Sequence, residues 1–181
     1  MKTIGLVLCL SLSGVALRAQ SAADPLSAGI KGIYNISKTN VSRAAEKMPE
    51  ENYSFKPSPD VRSFGQIVGH VADAQYLFCS AATGQTNPSP GIEKSKTTKA
   101  DLVKALNDAL AYCDKAYDGM TDAHAAEMVK FFGSDRAKLT VLAFNSAHNM
   151  EHYGNLVTYM RLKGIVPPSS EPRTPAAPKK K

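Results

Sequence analysis

Apolar residues recur every three to four positions in four stretches of this 181-residue chain, the spacing of helices that bury one face. The first stretch starts at Asp24-Pro25, an N-cap residue followed by proline, and ends before Pro49. The second starts at Ser63, which forms a capping-box pattern with Gln66, and ends at Gly84. Their apolar positions are Leu26, Ile30, Ile33, Ile36, Val41 and Ala44 in the first, and Phe64, Ile67, Val68, Val71, Ala74, Phe78 and Ala82 in the second. Both stretches predict long amphipathic helices.

The same pattern occurs twice more in the second half of the chain. The third stretch runs from about Thr98 to Met120, and the fourth from about Arg136 to Lys163, where glycine and then two prolines prevent continuation. Their apolar positions are Leu102, Ala105, Leu106, Ala109, Leu110, Cys113, Ala116 and Tyr117 in the third, and Leu139, Leu142, Ala143, Ala147, Met150, Val157 and Met160 in the fourth. The segment between them is ambiguous: Glu127–Phe132 fits a short helix, and residues 133–135 fit a turn.

These patterns predict an all-α fold, because no segment shows a convincing alternation of apolar and polar residues. Four helices of similar length in a chain of this size point to a four-helix bundle. The linker 85–97 between the second and third helices is longer than a helical hairpin needs. We therefore expect it to be a crossover connection.

The two ends of the chain lie outside the predicted bundle. Lys2, the apolar run Ile4–Leu17 and the small residues around Ala19 form the pattern of a secretory signal, with cleavage after Ala19 or as late as Ala23. The run is shorter than the roughly 20 residues of a membrane span. We expect an exported protein, periplasmic or secreted, without a transmembrane segment. A signal peptide at 1–19, a bundle at 24–168 and a disordered Pro- and Lys-rich tail at 169–181 follow.

The positive charge of the whole chain does not belong to the predicted bundle. Residues 24–170 contain 16 Lys plus Arg against 15 Asp plus Glu, a net of 16 − 15 = +1. The remaining positive charge lies in the signal and the tail. A nearly neutral body offers no electrostatic footprint for nucleic acid, so we expect no nucleic-acid partner.

Three of the four histidines fall on predicted helices. His148 and His152 are four residues apart, so both rings lie on one helix face and can reach a single metal ion. His70 lies on the apolar side of the second helix, and two ligands from one helix with a third from another is a common way to build a metal site in a bundle. Three imidazoles suit a divalent transition metal such as zinc, nickel, iron, manganese or copper. His124, beside a turn and two acidic residues, is interpreted as an exposed histidine.

A competing interpretation uses the same helix. The string from His148 to His152 also matches H-x-x-E-H, an inverted zinc-protease signature in which Glu151 would be the general base. Such a zinc hydrolase takes a further carboxylate ligand from downstream, where only Glu171 follows, in the proline-rich tail. The missing ligand makes this the weaker interpretation.

The two histidine segments also resemble a known family. Residues 63–76, Ser-Phe-Gly-Gln-Ile-Val-Gly-His-Val-Ala-Asp-Ala-Gln-Tyr, are similar to the second-helix histidine motif of the DinB superfamily. Residues 148–164 and Pro167-Pro168 resemble its closing pattern H-x-x-x-H-x-G-Q-L-x-x-Y-x-R-L, except that Asn155 stands where glutamine is common. The resemblance covers residues 24–170. It implies a four-helix bundle with an up-down-down-up course and a metal site at His70, His148 and His152.

The resemblance has two further implications. Some relatives are transferases or isomerases that use low-molecular-weight thiols, cytosolic compounds that an exported chain would not meet. The up-down-down-up course makes the second and third helices parallel, which would place Cys79 and Cys113 at one level. An oxidising compartment then favours a disulfide between these two cysteines.

Two classes of function stay open. In the first, the metal activates water or a thiol as nucleophile in a hydrolase or transferase with a small-molecule substrate, and Asp73 and Glu151 support the ligands from outside the coordination sphere. In the second, the metal only braces two helices of a non-catalytic protein. The sequence leaves the catalytic residues, the substrate, the metal and the formation of a homodimer open.

Overall fold

A computed structural model describes residues 24–89 and 91–172, and within them the fold is mostly helical. Its elements are α1 Pro25–Lys47, α2 Phe64–Thr83, α3 Ile92–Ser95, α4 Lys99–Asp118, α5 Asp122–Ala125, β1 Met128–Phe131, β2 Ser134–Ala137 and α6 Lys138–Leu162. Two single-turn 3₁₀ helices, Glu50–Asn52 and Pro168–Ser170, follow α1 and α6. The four long helices α1, α2, α4 and α6 match the four predicted stretches. The predicted signal peptide and most of the predicted tail lie outside the described residues.

The four long helices form a bundle in which α2 contacts both α4 and α6 extensively. Gly65 at the start of α2 lies against Leu102 at the start of α4, and Cys79 and Cys113 meet near the ends of the same helices. These two pairs show that α2 and α4 run parallel. The linker 85–97, which contains the short helix α3, therefore leads from the end of α2 back to the end of the bundle where α2 begins. It is the crossover connection that the sequence predicts.

Contacts of the outer pair of helices give their directions. Lys31 and Lys38 of α1 pair with Asp118 and Asp114 of α4, so that a later residue on α1 meets an earlier one on α4. The α1 helix is thus antiparallel to α4. Phe78 of α2 likewise packs on Phe144 near the start of α6, while His70 meets His148 further along it. The helices α1 and α6 both run opposite to the central pair.

A disulfide joins the two parallel helices. Cys79 and Cys113 are bonded in the structure, with their Cα atoms 5.4 Å apart, inside the range that a disulfide requires. Both residues are fully buried. The parallel course places them at one level, which is the reason for expecting the bridge.

The N-terminus of α1 differs from the sequence prediction. Asp24 precedes the helix with a left-handed backbone, and its side chain does not cap it. The carboxylate of Asp122 instead accepts the backbone N–H groups of Leu26 and Ser27, while Asp24 Oδ1 accepts the N–H of Asp122. A cap from a residue distant in sequence satisfies the free donors of the first turn, and local sequence does not reveal it.

The segment Glu127–Phe132, which the sequence leaves ambiguous and which fits a short helix, is not helical in the structure. Residues 128–131 and 134–137 form an antiparallel hairpin in which Phe131 pairs with Ser134. The two turn residues, Phe132 and Gly133, both have positive φ, at 47° and 76°. Two such residues give the turn whose twist suits a two-residue hairpin loop. Strands of four residues are too short to show a clear alternating pattern.

The start of the predicted tail is also wrong. Residues 169–172 are part of the folded body: the Ser169 N–H donates to the Tyr153 hydroxyl, which itself donates to the Ser169 hydroxyl oxygen. Glu171 forms ion pairs with Arg43 and Lys47 of α1. These polar contacts hold a segment that composition alone predicts to be disordered.

Among the described helices, none has both the length and the apolar character that crossing a membrane requires.

Candidate functional site

Three imidazoles converge between α2 and α6. The Nε2 atom of His148 lies 3.1 Å from Nε2 of His70 and 3.1 Å from Nε2 of His152. One ring nitrogen from each residue falls within 4.8 Å of those of the other two. The structure therefore brings together the three histidines predicted as ligands. It leaves His124 outside the cluster, exposed, with Nδ1 near the Thr121 hydroxyl.

The helices position these rings through ordinary spacing and close packing. His148 and His152 occupy successive turns of α6, and His70 projects from α2, which packs against α6 along much of its length. The capping box of Ser63 and Gln66 fixes the start of α2 less than two turns before His70. The His70 ring packs edge-on to that of His152, with 4.7 Å between their centres.

Glu93 determines which nitrogen of His70 carries the proton. Its Oε2 lies 3.3 Å from His70 Nδ1, and its Oε1 accepts a hydrogen bond from Arg62 Nε at 2.8 Å. A carboxylate beside Nδ1 favours the proton on that nitrogen, so Nε2 of neutral His70 keeps a free lone pair. The lone pair points at the other two imidazoles.

Asp73 acts differently from its predicted role as a direct support of an imidazole. Its carboxylate contacts no imidazole nitrogen; it accepts the backbone N–H groups of Gly91, Ile92 and Glu93 at 2.7–2.9 Å. Asp73 therefore caps the start of α3 and holds Glu93 beside His70. Gly69 permits this approach, because a Cβ there would lie 2.8 Å from the Glu93 Cα. The prediction for Asp73 is corrected to an indirect role through the backbone of α3.

The other two histidines have less complete surroundings. Asn155 Nδ2 lies 3.4 Å from His152 Nδ1, close enough for the amide oxygen to accept a proton from that nitrogen if the amide is turned over. His148 Nδ1 is buried and has no hydrogen-bond partner among the described residues. Glu151, the other carboxylate predicted to support the ligands, is exposed and lines a cavity next to His152.

The electrostatics of the cluster keep all three imidazoles neutral. Burial, followed by the mutual repulsion of the rings, lowers the pKa of His148 to about 3. Burial also lowers the pKa of His70, assisted by Arg62 and opposed by Glu93. The pKa of His152 falls for the same first reason, followed by repulsion from His70. Neutral imidazoles near pH 7 are the form that binds a metal ion.

The cluster fits a transition-metal ion by its donor set. Three nitrogens about 2.1 Å from one ion are about 3.0 Å apart at right angles and about 3.4 Å apart at tetrahedral angles. The two measured separations of 3.1 Å fall in this interval. Since His70 directs its proton to Glu93, the three facing nitrogens cannot all be joined by hydrogen bonds. A cation satisfies all three lone pairs at once.

Two cavities reach the cluster from different sides. A cavity of about 730 Å³ borders His152 and Glu93 and is lined mainly by polar and charged side chains, including Lys56, Arg62 and Glu151. We call it the charged cavity. A second opening of about 440 Å³ borders His70 and His148 and is lined mainly by apolar side chains. The cluster is therefore accessible to small molecules.

Comparison with known proteins identifies the family. The family model of the DinB superfamily matches residues 34–156, more than half of the chain. The chain belongs to the DinB superfamily. This confirms the resemblance inferred from the two histidine segments.

Individual relatives of this DinB-superfamily chain share its fold. This chain is 27% identical to YjoA of Bacillus subtilis strain 168 over an alignment of 134 residues. The alignment covers 71% of this chain and 86% of YjoA. A DinB-like protein from Bacillus cereus ATCC 10987 superposes with a TM-score of 0.70 at 16% identity, covering 78% of this chain and 95% of that one. A mycothiol-dependent maleylpyruvate isomerase superposes at 0.60 and 16% identity, covering 73% and 60% respectively. Identities this low in the two superpositions show the fold alone.

Sequence reasoning missed the partners of the histidines in this DinB-superfamily site. Glu93 lies in the linker, 23 positions from His70, and Arg62 lies in the loop before α2. No periodic pattern connects either residue to the helices. Asn155 had a weak signal, since it lies three residues after His152 on the same helix face.

Proposed function

We propose that this protein binds one divalent transition metal through His70, His148 and His152 and uses it to activate a water or thiol nucleophile. The observation that carries the proposal is the convergence of three neutral imidazole Nε2 atoms, two of the separations being 3.1 Å. Zinc, nickel, iron and manganese are all compatible with the proposal.

A bound metal of this kind lowers the pKa of a coordinated water or thiol, which supplies a nucleophile at neutral pH. The protein's own residues orient the site. Glu93 orients the His70 ring and favours a proton on its Nδ1. Asp73 positions Glu93 by accepting its backbone N–H at the start of α3. Three protein ligands leave further coordination positions for water or substrate. The charged cavity beside His152 is large enough to admit a small molecule.

The choice between water and a thiol depends on where the protein acts. The shared fold with a mycothiol-dependent isomerase supports a thiol. The signal pattern at the N-terminus supports export, and the Cys79–Cys113 disulfide fits an oxidising compartment. We propose that the protein is exported, so that water is the nucleophile available in its compartment.

A purely structural metal is the second candidate, favoured by the fact that the ligands join α2 and α6. A structural site is normally closed by four protein ligands. Among the described residues, the cluster consists of three histidines without a fourth ligand, and two cavities border it. The H-x-x-E-H hydrolase is disfavoured because Glu171, its downstream carboxylate, pairs with Arg43 and Lys47.

Metal analysis of the mature protein, purified without a histidine tag, tests the proposal. We expect about one transition-metal ion per chain, and loss of that ion in the His148→Ala, His152→Ala double variant. His124→Ala is the matched control, since His124 lies outside the cluster. Undiminished metal in the double variant would exclude the site. Metal binding without exchangeable water, measured by relaxation of solvent protons with manganese or cobalt, would favour the structural role.

A further inference from the structure

The second opening beside the histidines has an unusual lining. Its apolar lining includes Leu77 and Phe78 of α2, Phe144 of α6 and Phe132 at the tip of the β-hairpin, and it also borders His70, His148 and Asn87. We call it the apolar cleft. Its charged lining residue, Asp73, already accepts three backbone N–H groups from 91–93. The cleft thus leads to the metal ligands between apolar surfaces.

Three large apolar side chains at the rim of the apolar cleft are exposed to solvent. Leu77, Phe132 and Phe144 are 41%, 69% and 46% exposed, although the neighbouring aromatic residue of the hairpin, Phe131, is buried. Phe78 and Phe144 pack edge to face, with 5.4 Å between ring centres, and Phe132 extends this aromatic group into solvent. A contiguous exposed apolar surface beside a polar cluster indicates a binding surface.

Phe132 is also strained. Its φ of 47° lies in the left-handed region, where a bulky aromatic residue is an outlier. The first position of such a hairpin turn normally holds Asn, Asp or Gly, which adopt that conformation at low cost. The residue therefore carries both an unfavourable backbone and an exposed ring. Strain kept at a cleft that leads to a candidate metal centre points to a role in ligand binding.

We infer that the apolar cleft binds an aromatic or similarly flat, uncharged group of the substrate, next to the atom that the metal site engages. This inference rests on the proposed function and specifies its substrate class. The cleft matches such a group because aromatic rings at its rim can pack on a ligand ring edge to face or offset. The volume of about 440 Å³ is of the size that small-molecule sites have. A charged part of the ligand would lie towards the charged cavity on the side of His152.

Two hydroxamates that differ in one group test the inference on cobalt-loaded protein. Benzohydroxamate and acetohydroxamate offer the same metal-binding atoms, and the visible spectrum of cobalt reports the binding of each. We expect benzohydroxamate to bind at least about tenfold more tightly in the unchanged protein, because its ring is buried in the cleft. We expect Phe132→Asn to lower that preference about fivefold.

The variants separate loss of the ring from loss of the fold. Asparagine tolerates positive φ, so Phe132→Asn removes the ring while relieving the backbone. Met128→Thr is the control, since Met128 is 61% exposed on the same hairpin and does not line the cleft. It should leave the preference unchanged. Equal binding of the two hydroxamates, or an equal loss in both variants, would overturn the inference while leaving the metal site intact.

A second measurement covers failure of the metal proposal itself. Benzyl alcohol is titrated into metal-free protein, and backbone amide resonances are followed by NMR. Shifts at Leu77 and Phe144 that are absent in Phe132→Asn would support an aromatic site without a metal. Absence of these shifts at millimolar benzyl alcohol in the unchanged protein would overturn the inference that the apolar cleft binds an aromatic group.

Discussion

Two polar regions lie side by side between α2 and α6, and they compensate for the cost of burial in different ways. One is the histidine cluster. The other, which we call the amide network, consists of Gln75, Asn145 and Asn149, all fully buried. Gln75 follows His70 by five residues, and Asn149 directly follows His148. Sequence neighbours thus belong to regions with different chemistry.

In the amide network, side-chain donors meet acceptors, with the exception of Asn145 Oδ1, which has no hydrogen-bond partner among the described residues. Gln75 Nε2 donates to Asn149 Oδ1 at 2.6 Å, and Asn145 Nδ2 donates to Gln75 Oε1 at 3.0 Å. The Tyr117 hydroxyl donates to the Leu142 carbonyl and contacts Asn145 Nδ2 at 3.2 Å. Buried polar groups paired in this way define one arrangement of the helices. The network therefore has a structural role.

In the histidine cluster, nitrogen atoms of one kind face each other. At least one of the two 3.1 Å contacts cannot be a hydrogen bond, because His70 keeps its proton on Nδ1, beside Glu93, and its Nε2 is left as an acceptor. Buried acceptors without donors cost free energy. The paired polar groups of the amide network therefore stabilise the bundle, whereas the surplus of lone pairs in the histidine cluster indicates a ligand.

Substitutions in the two regions test whether one is structural and the other binds a ligand. Their expected effects decrease from the disulfide to the titration of His148.

The largest effect is expected from the disulfide beside the amide network. Replacing both Cys79 and Cys113 by Ala should lower the free energy of unfolding by about 3–4 kcal/mol, since the bridge closes a loop with a sequence separation of 34. Chemical denaturation measures this. Metal content should stay at the level of the unchanged protein, because the cysteines belong to the structural region.

Peptide mapping without reductant provides the control for this prediction. The unchanged protein should yield a linked pair of peptides containing Cys79 and Cys113. Two free thiols in oxidised protein would contradict the bridge. Loss of metal in a double variant that is still folded would instead show that the two regions are coupled.

The helical fold and the three histidines were predictable from the sequence, but part of the reasoning about α6 was wrong. The predicted inward stripe included Ala147 and Met150, which are exposed, the latter by 42%. The inward face contains Asn145, Ser146 and Asn149 instead. Polar residues that satisfy one another can replace an apolar stripe, and a hydrophobic pattern does not detect them. The histidine spacing survives this error because it depends only on helix geometry.

Features made by contacts distant in sequence could not be predicted. Glu93 reaches His70 only because Asp73 caps α3 and because Gly69 leaves room for its backbone. The hairpin depends on a two-residue turn that contains Phe132, a residue that rarely adopts positive φ. In both cases the tertiary structure overrides local preference.

A smaller effect is expected from Glu93→Gln, which tests the histidine side of the comparison. Loss of the carboxylate charge beside His70 Nδ1 should weaken metal binding roughly tenfold, the typical effect of removing a group that orients a metal ligand. Competition with a chromophoric chelator measures the affinity. Glu151→Gln is the control, because it removes the same charge near His152 from an exposed position. An equal loss in both variants would show a general charge effect.

The smallest effect is expected from the pH dependence of metal-free protein. The unfolded chain takes up protons on its histidines as the pH falls through about 6.5, whereas the pKa of partly buried His148 is lowered to about 3 in the folded state. The unfolded state then binds more protons, so stability falls as the pH falls below about 6.5. Between pH 7.5 and 5.5 we expect His148 to account for a loss of about 1 kcal/mol, after allowing for partial exposure. Denaturation at both pH values measures it. His148→Asn should reduce the loss and His124→Asn should not; a protein that becomes more stable on acidification would contradict the neutral, buried state of the cluster.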